Sequence, residues 1–116
     1  MIIAVPLILG ASVIVGATLV AKYWRKIVDF LKKVLTKLKQ IIKGTIMGSA
    51  VFLKRIGDKF QNRTKHYSQN EQGKWKETIV CYEQDADEIP EKYREYAGFD
   101  QEVDLTEELQ LQLEKK

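Results

Sequence analysis

Cysteine and histidine are almost absent from this sequence of 116 residues, each occurring once, as Cys81 and His66. A single cysteine excludes an intrachain disulfide and favours a reducing compartment. A single histidine excludes any site that needs two imidazoles from the same chain. Glycine-rich loops followed by Lys and Ser or Thr are also missing, which excludes a phosphate-binding loop of that type.

The few side chains that carry chemistry form no known catalytic or metal-binding motif. Cys81 and His66 lie on segments that we predict to be neighbouring strands, where a cysteine nucleophile with a histidine base is one arrangement. A structural cysteine and a half-exposed histidine are the commoner roles for such residues. Asp85, Asp87 and Glu88 are close in sequence but lack the spacing of a calcium loop. We therefore predict no enzyme, no catalytic residue, no metal and no cofactor.

Charged side chains are absent from residues 2–21, whose only polar side chains are those of Ser12 and Thr18. About 20 helical residues cover roughly 30 Å, the thickness of the hydrocarbon core of a bilayer. The basic and aromatic sequence KYWRK follows directly, as is typical where a helix leaves a membrane. We predict a membrane-spanning helix over 2–21. A cleaved signal peptide and a buried core helix are the alternatives.

Positive charge follows this predicted span and does not precede it, which predicts an N-terminus outside and a cytoplasmic C-terminus. The chain is then a single-pass protein of the cell inner membrane. Small residues let helices approach closely in lipid, and hydroxyl groups are the only polar groups the span could offer a pore. The positions predicted for transmembrane packing or a pore are Gly10, Ser12, Ile14, Gly16, Ala17, Thr18 and Ala21.

Residues 22–43 form a second element, a basic amphipathic helix with the apolar spacing of a coiled coil. The predicted oligomer seam consists of Trp24, Val28, Leu31, Leu35, Leu38 and Ile42. The apolar side chains of this helix form a stripe along one face. Nothing in the sequence interrupts the helix before Lys22, so the predicted span and the amphipathic helix could form one continuous helical rod ending near Gly44. The stripe could pack against copies of itself, lie among lipid headgroups, or pack on the chain's own β-structure.

Residues 44–116 are predicted to form a small cytosolic α/β domain with an acidic C-terminal part. Two segments rich in Thr, Tyr, Trp, Ile and Val flank the turn sequence QNEQG and indicate a β-hairpin over 61–83, in which Gly73 can adopt a positive φ. Residues 45–60 fit either a helix or a third strand. A short helix is predicted before Gly98, and for 105–114 a helix is favoured over an edge strand. The predicted class is therefore a membrane protein of α+β type: a single N-terminal transmembrane helix that continues into the basic helix, then a hairpin or three-stranded meander and short C-terminal helices.

Charge is divided unevenly along the chain. Residues 1–82 carry 15 of the 19 Lys and Arg and only four acids, a net charge of +11, whereas residues 83–116 carry −8. Basic side chains mixed with aromatic ones can hold a nucleotide or a short single strand, and the same composition suits anionic lipid. The residues predicted for such an anionic ligand are Lys54, Arg55, Lys59, Arg63, Lys65, Lys74, Trp75 and Lys76.

Two functional hypotheses follow. In the first, the helical rods of a homo-oligomer assemble into a pore or membrane effector, and the cytosolic head senses a ligand. This layout, though no motif, is similar to that of small membrane effectors in bacterial anti-phage defence. In the second, a membrane-anchored adaptor recruits a cytosolic protein partner without forming a pore. The partners expected are membrane lipid, further copies of the chain, a nucleotide or oligonucleotide on the basic hairpin, and a cytosolic protein.

Overall fold

The fold places one long helix over one face of a four-stranded antiparallel sheet. The computed structural model describes residue 14 and residues 16–98 and 101–114. The elements in chain order are α1 (Leu19–Ile41), β1 (Thr45–Ile56), β2 (Lys59–Gln69), β3 (Trp75–Asp85), a short 3-10 helix (Ala86–Glu88), α2 (Glu91–Tyr96), β4 (Glu102–Asp104) and α3 (Thr106–Glu114).

The start of α1 is fixed by a side-chain cap. Thr18 has an extended backbone, and its hydroxyl accepts a hydrogen bond from the backbone N–H of Ala21 at 3.1 Å. Gly16, two residues earlier, has a φ of 138°, a conformation that glycine adopts without steric cost. Because a cap satisfies N–H groups that no preceding helical turn can satisfy, the helix begins at this point. The predicted continuous rod is therefore wrong.

The prediction of a membrane protein is also corrected. Within residues 14, 16–98 and 101–114, no helix combines the length and apolar character needed to cross a membrane. The single-pass inner-membrane topology and the ion-channel interpretation depended on such a helix and are wrong with it. Of the positions predicted for packing or a pore, Gly10 and Ser12 lie outside the described residues, whereas Ala21 is buried inside the first turn of α1.

The apolar stripe of α1 faces the chain's own sheet. Trp24 and Leu31 are fully buried, and Val28, Leu35 and Leu38 are nearly so. All of these except Leu38 belong to one hydrophobic cluster, which also contains Val51, Leu53 and Phe60 of β1 and β2. Leu38 is buried outside this cluster. Ile42 is half-buried after the end of the helix. The residues predicted to form an oligomer seam therefore pack mainly on the chain's own sheet, which is the third of the alternatives given for the stripe.

The strands follow the order β3-β2-β1-β4, and every neighbouring pair is antiparallel. The predicted hairpin over 61–83 is confirmed as β2 and β3, and Gly73 in its turn has a φ of 80°. The ambiguous segment 45–60 forms β1 and the start of β2, so the three-stranded meander exists. β4 was not predicted and pairs with the middle of β1, where Leu53 lies opposite Val103.

The C-terminal part closes the core beside β1. The Trp24 indole N–H donates to the Tyr93 hydroxyl at 2.9 Å, which joins α1 to α2. The Thr106 hydroxyl accepts from the backbone N–H of Val51 at 3.0 Å, which joins the start of α3 to β1. The predicted short helix before Gly98 and the favoured helix over 105–114 are both confirmed, as α2 and α3.

Replacement of Leu31 by alanine tests whether the stripe stabilises a single chain. We expect Leu31→Ala to lower the free energy of unfolding by about 3 kcal/mol, because it leaves a cavity in a fully buried site. Urea unfolding measures this, with the exposed Lys39→Ala on the same helix as the control. The loss should not depend on protein concentration. A loss that grows on dilution would contradict the fold and would indicate that Leu31 packs between copies.

Candidate binding groove

The eight residues predicted for an anionic ligand do not form one site. Lys54, Arg55 and Lys59 lie at the end of the sheet where β1 turns into β2, whereas Lys74, Trp75 and Lys76 lie at the opposite end of β2. Strand β2 has 11 residues, so the two groups are separated by roughly 35 Å. No compact basic patch results from them.

The two remaining predicted residues, Arg63 and Lys65, are held by an acid. Both point to the sheet face opposite α1, where Glu102 of β4 accepts from Arg63 at 2.8 Å and from Lys65 at 2.7 Å. Partial burial raises the pKa of Glu102, but the hydrogen bonds from Lys65 and Arg63 outweigh this effect and hold that pKa below its usual range. This cluster ties β4 to β2 across β1, and because Glu102 already pairs with both cations, only one net positive charge remains for an anion.

Cys81 and His66 lie on opposite faces of the sheet. Cys81 is exposed on the outer face, opposite Arg63, whereas His66 is buried beneath α1. The Nδ1 atom of His66 lies 2.7 Å from the hydroxyl of Ser49, and its Nε2 atom lies 2.9 Å from the hydroxyl of Thr64. All three inner-face residues are buried, so no substrate can reach the serine, and the hydrogen-bonded chain serves to satisfy polar groups within the core.

One of the three acidic residues at the end of β3 and just after it, Glu88, is paired with a lysine. Asp85, Asp87 and Glu88 bring carboxylate oxygens within 4.8 Å of one another, a distance at which a metal ion could bridge them. Glu88 forms an ion pair with Lys26 of α1 at 2.7 Å, and its other oxygen caps the backbone N–H of Asp85. Exposed acids of this kind occur often without a metal, and the ion pair explains the position of Glu88.

The strongest candidate for a binding site is an open groove between the second half of α1 and β3. Its volume is about 570 Å³, and we call it the α1–β3 groove. Phe30 and Val34 of α1 and Val80 of β3 supply its apolar surface, and the lysines on its rim all carry the same sign of charge. The complete lining is Phe30, Lys32, Lys33, Val34, Thr36, Lys37 and Val80.

Two hydroxyl groups beside Val80 have no hydrogen-bond partner among the residues that the structure describes. Thr78 and Tyr82 flank Val80 on the face of β3 that carries the groove, and both hydroxyl oxygens are buried. The Tyr82 ring lies 4.4 Å from the ring of Phe30, and burial raises the pKa of its hydroxyl. Because both oxygens are shielded from solvent, a ligand in the groove contacts the side chain of Val80 and not these hydroxyls.

β3 is the outer strand of the described sheet on the side away from β4. Along β3, Trp75, Ile79 and Cys81 lie on one face of the sheet, and Thr78, Val80 and Tyr82 lie on the other. Trp75 is 56% exposed and Ile79 is 47% exposed, which leaves apolar surface on the outer face of the same strand that forms the groove. The groove could not be predicted from the sequence, because Phe30 and Val34 lie next to the apolar stripe of α1 and have the same apolar character as core residues.

A second cavity, of about 450 Å³, lies beside the first half of α1 and carries charges of both signs. Lys22, Arg25 and Lys26 line it together with Asp29, Asp87 and Glu88. The Lys26–Glu88 ion pair belongs to this lining, so part of its charge is already neutralised. Its mixed character gives no preference for a class of ligand.

No protein-family model matches this chain, and neither a curated protein nor a solved structure is significantly similar to it. Function must therefore be argued from the residues and their geometry.

The pH dependence of stability tests whether His66 is buried on the inner face of the sheet. Burial lowers the pKa of His66 from 6.5 to about 4. The neutral ring is favoured in the folded chain, so its stabilisation is complete above pH 6.5 and is lost as the pH falls toward 4. We expect wild-type protein to lose up to about 3 kcal/mol more than His66→Gln over this interval, in urea unfolding.

Proton NMR gives a second readout, because one histidine produces one set of ring resonances. These resonances should titrate below pH 5 in the folded protein. A midpoint near 6.5, or equal pH dependence of wild type and His66→Gln, would contradict the burial of the ring.

Proposed function

We propose that this chain is a non-catalytic recruitment module that binds an acidic, partly apolar segment of a partner protein in the α1–β3 groove. The observation that carries the proposal is the combination of an apolar floor with a rim of lysines in one open groove. Apolar floors supply affinity, and charges at the rim select the partner and increase the rate of association.

The charge on α1 favours an acidic partner. Between residues 19 and 41 the helix carries seven Lys or Arg and one acid, Asp29. Its buried stripe turns these charges away from the sheet, so Lys33 and Lys37 stand exposed beside the groove. At physiological salt their attraction extends about 8 Å, far enough to reach a segment lying in the groove.

The apolar floor favours a peptide over a simple anion. Phe30, Val34 and Val80 offer no charge to a phosphate, whereas the aliphatic stems of acidic side chains can cover them. These features support the adaptor interpretation of the sequence without its membrane anchor. Self-association and lipid binding remain predictions from the sequence.

An oligonucleotide is the second candidate, because the exposed lysines of α1 could contact phosphates. Its support is weaker, since the predicted basic residues are dispersed and Trp75 lies on the outer face. Stacking of bases needs an accessible aromatic ring beside basic side chains, and the Phe30 ring in the groove already packs against Tyr82, with ring centroids 4.4 Å apart.

A synthetic peptide that alternates glutamate with valine is the probe, with the length of β3, 11 residues. We expect saturable binding by fluorescence anisotropy and at least tenfold weaker binding to the double variant Lys33→Glu/Lys37→Glu, because charge reversal at the rim replaces attraction with repulsion. The matched control is Lys22→Glu/Lys59→Glu, which makes the same change in net charge away from the groove.

Equal weakening by the two double variants would show that only net charge matters, which contradicts the groove. Absence of peptide binding to the wild type at low salt would also contradict it. A single-stranded oligonucleotide that binds the wild type more tightly than the peptide would favour the second candidate.

A further inference from the structure

We infer that the partner segment binds as an added β-strand along β3, extending the sheet to five strands. The inference rests on the proposed function and states how the same groove is used. The outer edge of β3 faces no other strand among the described residues. Such an edge presents a row of backbone N–H and C=O groups, which an extended peptide can pair with.

The composition of β3 leaves the centre of this edge open to pairing. The strand has 11 residues and no proline, so nothing in it prevents a ladder of hydrogen bonds. Its charged side chains lie near the two ends, at Lys76 and Glu77 and at Glu83 and Asp85. The five residues between them, 78–82, are uncharged. Charges are one of the means by which edge strands avoid pairing, and the middle of β3 lacks them.

An added strand places its side chains on the two surfaces already described. Alternate side chains project to the α1 side, beside Thr78, Val80 and Tyr82 and within reach of Lys33 and Lys37. The other side chains project to the outer face, beside the exposed Ile79 and Trp75. Charge complementarity therefore selects acidic residues for the α1 side, where their aliphatic stems cover Val80. The exposed Ile79 and Trp75 favour apolar residues on the outer face, so the segment has a repeat of two residues.

Charge also distinguishes this partner from a second copy of the chain. Pairing of β3 with β3 of a copy through a two-fold axis perpendicular to the sheet would place both α1 helices on the same face. The lysines at the rims of the two grooves would then face one another across the new strand pair. Like charges brought together in this way oppose association, whereas an acidic segment neutralises them.

N-methylation of the probe peptide tests strand addition directly. In an extended strand, successive residues direct their backbone N–H and C=O groups to opposite edges. Two versions of the glutamate–valine peptide are compared with the unmodified one, methylated at two central glutamates or at two central valines. We expect one version to bind at least about tenfold more weakly and the other to bind nearly as the unmodified peptide does.

Equal effects of the two methylated peptides, whether small or large, overturn strand addition. If the unmodified peptide still binds and still depends on Lys33 and Lys37, the proposed function stands while this inference fails. If the unmodified peptide does not bind, both fail. Sedimentation of the full chain adds one outcome: a dimer that excludes the peptide and that Ile79→Lys converts to a monomer would place a second copy on β3 and overturn the inference.

Discussion

The burial of the apolar stripe of α1 against the sheet is the interaction on which the rest of this structure depends. Trp24 and Leu31 lose all contact with solvent, and each fully buried large apolar side chain stabilises a fold by roughly 2 kcal/mol. The same contact determines the orientation of the helix and hence which of its faces remains exposed. Because the apolar face is turned inward, the lysines of α1 are displayed together on the outside.

The surface beneath the helix is unusual because much of it is polar. Asn62, Thr64, His66 and Ser68 alternate along β2 and point toward α1, and all are buried. Burial of such groups is costly unless they form hydrogen bonds. Asn62 accepts from the Tyr23 hydroxyl and donates to Gln84, both at 2.8 Å, and burial raises the pKa of Tyr23 so that the hydroxyl stays protonated. The network thereby fixes the register of the helix over β2.

Much of the β-structure could be predicted from sequence, because it depends on local chemistry. The hairpin over 61–83, its turn with Gly73 and the short helix before Gly98 are short-range features, and they were placed correctly. The burial of the inner face of β2 could not be predicted, because polar residues at alternate positions of a strand are typical of a face exposed to solvent. The membrane interpretation failed for a related reason. Hydrophobicity alone does not show that Thr18 caps a helix and that Ala21 belongs to a core formed with strands distant in sequence.

The groove follows from a difference in width between the helix and the sheet. An α-helix with its side chains is about 10–12 Å across, and strands are spaced about 4.8 Å apart, so one helix covers little more than two strands. Here α1 covers β1 and β2, and the C-terminal elements pack beside β1 through Thr106 and Tyr93. Nothing comparable covers the inner face of β3 among the described residues. Val80 and an open strand edge are therefore left next to the basic side of the helix. A fold with one helix over these strands creates such a margin, and the lysines of α1 give it a preference for negative charge.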